Sequence, residues 1–361
     1  MTGRDEASRL GSGDAGGGSI LFETADKSVV LLDIPRTLEE SQGRPGQVPE
    51  RRIYSAPPPL EPFPTPEPRR QRRGGRSGAA GAAHAASHQT PAARIADLMT
   101  AAVVRDALQR LADQYVGPFH LARRPAPLDP LGEDSQDDLA PLIVPPGAHP
   151  LHGSIEELRP CLLADAPTFD LVVLDPPWPN RSARRRADGY RTAATLPAMR
   201  RLLTSIPLAG RLGPDGLVAV WITNKPGIPD LLTGPSGVFA SWGLDLAAEW
   251  IWVKVTASGE PLYDVDSQWR KPWEKLLVAK RRGVRAPAPL RSMVIVAAPD
   301  VHSRKPNLRG LFRHVLGKDG VGLEVFARNL TAGWWSWGDD VFRFQHESHW
   351  QPPEEVDDSQ R

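Results

Sequence analysis

The residues best suited to chemistry stand together at 175–178, where Asp175-Pro176-Pro177-Trp178 ends the apolar run FDLVVLD (169–175). A carboxylate is followed by two residues of fixed φ that lack N–H groups, then by the largest aromatic side chain. The prolines hold the chain extended and leave its carbonyls without an adjacent local donor, so the segment suits a ligand that brings only donors. The exocyclic amino group of a nucleobase is such a ligand. Asp175 and the Pro176 carbonyl can each accept one of its N–H bonds, while Trp178 offers a flat face to the ring. An amine held this way points its lone pair along one line, and a methyl sulfonium on that line can be attacked directly. Most of the rate would come from positioning and from a site shaped for positive charge developing on nitrogen. Asp175 need not be a strong base, because the amine becomes acidic as the new bond forms. The competing structural reading is a proline-stiffened turn over a buried Trp178.

The loop that follows carries Arg181, Arg184, Arg185, Arg186 and Arg191 against Asp188 alone. Phosphate neutralisation accounts for such a bias and makes binding depend on salt; an exposed basic loop without a ligand is the alternative. Tyr190 can stack on or beside a base. Asn180 can both donate to and accept from an adenine edge. Lys254, Lys271 and Trp273 end or flank strands near the same rim, either as substrate contacts or as salt-bridge and packing residues. A base must reach a recessed strand tip, so the substrate is single-stranded or its nucleotide is extruded. His302, His314, His346 and His349 lack metal-ligand spacing, and the chemistry requires no metal.

These residues need a scaffold, and the sequence supplies one. Apolar runs at 169–175, 217–223, 247–255, 276–280, 293–298 and 323–326 are separated by turn residues, with helical stretches at 196–203 and 307–316 between some of them. Continuous apolar strands alternating with helices predict an α/β fold, a doubly wound, mostly parallel sheet buried on both faces, over about 141–350. Ligands bind such sheets beyond the carboxyl ends of the strands. No G-x-G-x-x-G follows a strand, which argues against a dinucleotide oxidoreductase. Residues 91–115 form a helix from the recurrence of Val104, Leu108, Leu111 and Tyr115, with a Pro- and Asp-rich linker completing 91–140. Residues 1–90 read as a mostly disordered or extended Pro/Arg-rich arm, in which 28–34 could form an edge strand; residues 351–361 read as a disordered tail. The basic run Arg69–Arg73 reads as a nuclear address, a phosphate contact or a solvated linker.

Composition narrows the class. All 11 Trp lie at or after Trp178, so the core belongs mainly to the C-terminal part. The lone cysteine, Cys161, allows neither an internal disulfide nor a cysteine zinc cluster and fits a reducing compartment. Lys plus Arg (44) nearly balance Asp plus Glu (43), so net charge names no partner. Neither a membrane span nor a signal peptide is evident, and the expectation is a soluble intracellular protein.

Asp-Pro-Pro-Trp after a buried strand resembles the motif of the adenine-N6 methyltransferases of the MT-A70 family. Further stretches resemble its methyltransferase-like protein 4 branch: WPNRS (178–182), WITN (221–224), AEWIWVK (248–254), KPWE (271–274), HSRKP (302–306), FARNL (326–330) and GWWSWG (333–338). The resemblance runs from about Leu142 to Phe344 and covers nothing before about residue 90. It implies a Rossmann-like catalytic domain with Asp175, Pro176, Pro177 and Trp178 as the catalytic tetrapeptide. It also implies an S-adenosyl-L-methionine site assembled from separated pieces, Asp175 among them. Ser154 and Ile155 lie where the family holds the adenine ring, although relatives often have Asp in place of Ser154. Lys305 matches a lysine that pairs with the cofactor carboxylate. Arg328 and Asn329 match residues around the ribose and adenine. Asp339 and Asp340 stand where relatives carry Asn-Gln or Asn-Glu. The implied substrate is nucleic acid, with RNA favoured (2′-O-methyladenosine in a small nuclear RNA) and DNA the alternative. The implied location is the nucleus, with the cytoplasm also open. A non-catalytic nucleic-acid-binding subunit is a further reading, which retention of the full tetrapeptide opposes. No obligate protein partner is indicated.

Overall fold

A computed structural model describes residues 18–65, 90–126, 141–179, 195–268 and 270–351. Strands β1 (Ile20–Glu23) and β2 (Val29–Leu32) precede helices α1 (Ile34–Ser41) and α2 (Pro91–Gln114). Then come β3 (His149–His152), α3 (Ile155–Asp165), β4 (Phe169–Leu174), α4 (Leu196–Ser205), β5 (Leu212–Ile222), α5 (Ile228–Thr233) and α6 (Val238–Ser241). The chain continues through β6 (Leu244–Lys254), β7 (Trp273–Arg281), β8 (Met293–Ala297), α7 (Arg309–Leu316), β9 (Gly322–Val325) and β10 (Trp335–Gly338).

The strands make one ten-stranded sheet in the order β1-β2-β8-β6-β7-β5-β4-β9-β10-β3. Among the described residues, every pairing is parallel except β1 with β2 and the two made by β7. The predicted α/β, mostly parallel, doubly wound class is therefore the observed one. Because strand side chains alternate, Val172, Leu174, Val218, Val220 and Ile222 pack under α3 to α6 on one face. Leu171, Val173, Leu217, Ala219 and Trp221 pack on the other face with α1 and α7. The carboxyl ends of β4, β5, β6, β8, β9, β10 and β3 consequently share one edge of the sheet, and the amino end of the reversed β7 joins them there.

Local signals set the helix ends. The Thr90 side chain accepts from Ala93 N–H and Pro91 starts α2, whose buried residues are Thr100, Ala101, Val104, Ala107 and Leu111, the last four spaced by three or four positions. They cover Val29, Leu31, Val294 and Val296, so α2 supports the sheet. Ser154 caps α3 in a reciprocal capping box with Glu157. Gly317, at φ 68°, closes α7 in the left-handed region.

The arm expected over 1–90 is corrected for residues 18–65. All four residues of β2 are buried, and β2 pairs in parallel with β8. A four-residue run has no stability alone, but here it gains a neighbouring strand on each side and the cover of α2. Arg309 fastens α1 by donating to the carbonyls of Glu40 and Gly43. The strand allowed over 28–34 is thus present as β2, inside the sheet and not at its edge, whereas β3 and β10 were not foreseen. Pro150 obscures β3, which occupies the sheet edge where a proline is tolerated.

Candidate active site

Asp175 is the first residue beyond the tip of β4, and its N–H donates to the Val325 carbonyl of β9 at 3.4 Å. Pro176, Pro177, Trp178 and Pro179 are all buried behind it. The segment is anchored to the end of β5: Trp178 Nε1 donates to the Trp221 carbonyl at 2.8 Å, and Lys225 Nζ donates to the Pro179 carbonyl at 2.8 Å. Trp178 is only 6% exposed, so its ring is a member of the core and not an open platform. The Pro176 carbonyl is also less free than the sequence suggested, because it accepts from Trp178 N–H at 2.7 Å. One of its two lone pairs remains to accept a second donor.

Two cations meet the Asp175 carboxylate. Arg328 Nη1 donates to Oδ2 at 3.0 Å, and Lys305 Nζ lies 3.6 Å from Oδ1. Arg328 also donates to the Ser303 carbonyl at 3.1 Å. Arg328 and Lys305 follow β9 and β8 respectively, so residues widely separated in sequence converge where these strands end. Ser303 (φ 71°) and Phe326 (φ 61°) are non-glycine residues in the left-handed region, and both lie in the turns that deliver these cations. Gly338 lets β10 approach the second turn, since a Cβ there would lie 3.1 Å from Ala327 N.

Two carboxylates that were not among the candidate site residues belong to the same cluster. Glu274 on β7 binds Lys305 Nζ through Oε2 at 2.7 Å and Lys254 Nζ through Oε1. Burial pushes its carboxyl up, but Lys305 and Lys254 outweigh that and leave it at about 2. Burial likewise works against the Lys305 ammonium, and the charges of Asp175 and Glu274 raise it above the ordinary lysine value. Glu324 on β9 sits opposite Val173 of β4. Burial and then the Asp175 charge raise its carboxyl to about 7, against the pull of Arg328. For Glu324 the available signal was a lone carboxylate in an otherwise apolar strand, and for Glu274 its place at the end of KPWE (271–274).

The remaining candidates divide. Asn329 is buried and lines a cavity with Asp175, Lys305, Glu324 and Trp221. Ser154, Asp339 and Asp340 follow β3 and β10 at the same edge. The Ser154 side chain is engaged by Glu157, and its carbonyl accepts from Trp337 Nε1 at 3.4 Å. Ile155 is a core residue at 4% exposure. Asp339 is exposed and its carbonyl meets His152 Nε2, while Asp340 lies 3.8 Å from Arg343. Lys254 does not stand free for a substrate: besides Glu274 it sits 4.6 Å over the Trp252 ring. Trp273 is corrected from a rim residue to a core one, 1% exposed, because it faces into the cluster beneath α2. Lys271 lies 5.2 Å over the ring of Trp273 at the surface side. Asn180, Arg184, Arg185, Arg186 and Tyr190 lie outside the described residues.

The cavity beside Asp175 holds about 20 Å³, room for one water molecule. A larger open cleft of about 540 Å³, lined by Phe63, Arg105, Tyr263 and Asp266 among others, includes none of the residues gathered at Asp175. Chemistry and volume thus point to different places. The charge cluster is the better guide, because it lies at the carboxyl ends of the central strands. Among the described residues no group of His, Cys, Asp and Glu could hold a metal ion, and no helix is long and apolar enough to cross a membrane.

A model of the MT-A70 family matches residues 169–340. The chain is similar to the N6-methyladenosine RNA methyltransferase MTA1 of Cryphonectria parasitica, at 49% identity over 342 residues, 92% of this chain and 94% of the relative. It is also similar to a Pyricularia oryzae protein of the same name, at 42% identity across 91% of this chain and 96% of the relative. The human N(6)-adenine-specific methyltransferase METTL4 is 34% identical over 215 residues, 56% of this chain and 44% of the relative. The likeness to the first two extends well beyond the stretch recognisable from short motifs.

Proposed function

Because this chain belongs to the MT-A70 family and is a methyltransferase, we propose that it methylates the N6 amine of adenine in RNA, with S-adenosyl-L-methionine as donor. One observation carries the reading: the Asp175 carboxylate stands at the tip of the central strand, with the Pro176 carbonyl beside it and Arg328 and Lys305 on its two oxygens. The donor set suits the cofactor. Lys305 carries three N–H bonds; Glu274 engages one at 2.7 Å and Asp175 lies at ion-pair distance, 3.6 Å, so donor capacity remains to meet a carboxylate. Arg328, Asn329 and the acidic strand tips Asp339 and Asp340 offer donors and acceptors for a ribose and an adenine. When bound, the cofactor supplies an electrophilic methyl group on a sulfonium.

The protein's part is to grip and orient. Asp175 and Pro176 would accept the two N–H bonds of the amine and so aim its lone pair at the methyl group that a bound cofactor would supply. The methylated nitrogen would then release one N–H proton to solvent water. Asp175 stabilises the positive charge that develops in between, and burial of Pro176 to Pro179 keeps the grip rigid. The basic residues Arg184, Arg185 and Arg186 supply phosphate contacts, and location in the nucleus follows from the same reading. Resemblance to the METTL4 branch favours a 2′-O-methylated adenosine of a small nuclear RNA.

Mass spectrometry of nucleosides tests this, using matched RNA and DNA oligonucleotides, with and without a 2′-O-methyl group, and labelled cofactor. N6-methyladenine from the RNA, abolished by Asp175→Asn in a folded variant, is the expected result. Transfer only to DNA moves the substrate class. No transfer, together with no cofactor binding by calorimetry, makes the chain a non-catalytic binding subunit.

A further inference from the structure

The strand tips of β6 and β7 carry an ion-pair relay that the reaction as described leaves without a task. Glu274 faces Trp252 across the antiparallel β6–β7 pair, two residues before Lys254, so its two oxygens reach lysines from different elements. Oε1 binds Lys254 at the end of β6, and Oε2 binds Lys305 from the loop after β8 at 2.7 Å. Lys305 continues the series to Asp175, and Arg328 ends it, giving alternating charges along Lys254, Glu274, Lys305, Asp175 and Arg328. Each ammonium is also confined by an indole: Lys254 lies over Trp252, and Lys305 is 5.7 Å from the Trp221 ring. The carboxylate of Glu274 is thus held from both sides and does not touch the proposed reacting atoms.

We propose that Glu274 is a positioning residue, which fixes the Lys305 ammonium against Asp175 and so sets the orientation in which Asp175 grips the amine. The inference rests on the catalytic reading of Asp175. Its physical basis is the choice open to Lys305. The side chain is long and about a fifth exposed (21%), so without its nearest anion the ammonium gains more from water than from Asp175 at 3.6 Å. The groups facing Lys305 are Asp175 from β4, Glu274 from β7, and Arg328 and Glu324 from β9. Glu274 is the anion at direct hydrogen-bond distance. Losing it leaves Asp175 with Arg328 as its one close cation and frees Oδ1 to rotate. Charge agrees with the geometry: burial works against the Lys305 ammonium, and Asp175 and Glu274 outweigh it.

The test compares wild type with Glu274→Gln, which keeps the size, and Glu274→Asp, which keeps the charge but is too short to span both lysines. With thermal melting as the fold control, kcat falls on the order of 10- to 100-fold in Glu274→Gln, as expected of a misoriented reacting group. KM for the oligonucleotide stays within about twofold, because Glu274 does not contact it. Glu274→Asp gives no full rescue. A folded Glu274→Gln with wild-type kcat, or a loss confined to KM, overturns the proposal. Should Glu274→Gln fail to fold, wild-type kcat in Glu274→Asp overturns it equally. If wild type itself transfers no methyl group to adenine, the functional reading fails instead, so the two failures are distinct.

Discussion

Replacing Glu324 by Gln measures the field at the strand tips through stability, independently of any ligand. In the folded protein burial and the neighbouring Asp175 raise this carboxyl from 4.5 to about 7. At about 1.4 kcal/mol per pKa unit, ionising it in place costs at most about 3 kcal/mol relative to the unfolded chain. Because the folded value is the higher one, the associated stability is fully present below pH 4.5 and is lost as pH rises through about 7. Glu324→Gln carries no such charge. Its stability relative to wild type should therefore increase between pH 5 and pH 8.5, by about 2–3 kcal/mol, read as the difference in urea unfolding free energies. The comparison also removes His349, held at about 4 by burial and the nearby cations, whose titration affects both proteins alike. Adding Asp175→Asn should move the Glu324 midpoint down, since one of its two raising influences is gone. A wild-type-to-Gln difference equal at pH 5 and pH 8.5 would refute the electrostatic account of the cluster.

Gly322 lies under the Trp334 ring so closely that a Cβ would fall 2.2 Å from it. Gly322→Ala should accordingly cost about 1–3 kcal/mol by overpacking, and an unchanged urea midpoint would contradict the close approach. Deleting residues 1–65 removes β1, β2 and α1 and bares the edge of β8, so the shortened protein should aggregate on expression; a soluble, cooperatively melting product would restore the view of this region as an arm. Changing Arg184, Arg185 and Arg186 to Ala should weaken oligonucleotide binding and reduce the salt slope by about 2, the value for three single-strand phosphate contacts. An unaltered slope in a salt titration would remove these residues from the interface.

What the sequence revealed and what it concealed divide along one physical line, between information held locally and information held in pairing. Asp175-Pro176-Pro177-Trp178 was legible because four adjacent residues define both the strand tip and its stiffness. Lys305 and Arg328 were reachable by resemblance, and the parallel strands bring both to Asp175. Strand β2 was legible only as an edge-strand option within the arm, because four apolar residues become a strand only when β8 lies beside them. Glu274 and Glu324 were hidden for a related reason. A single carboxylate in a strand gives no periodic signal, and its role depends on which cations the neighbouring elements present. Trp178 and Trp273 stayed open between two uses because an aromatic next to a strand end suits a binding platform and a core plug equally well. Trp178 Nε1 finds the Trp221 carbonyl and the ring of Trp273 joins the layer under α2, so packing decides between those uses. The tetrapeptide's stiffness therefore has two sources, the prolines written in the sequence and a tryptophan locked into the core, and only together do they keep the Asp175 and Pro176 acceptors fixed for a base.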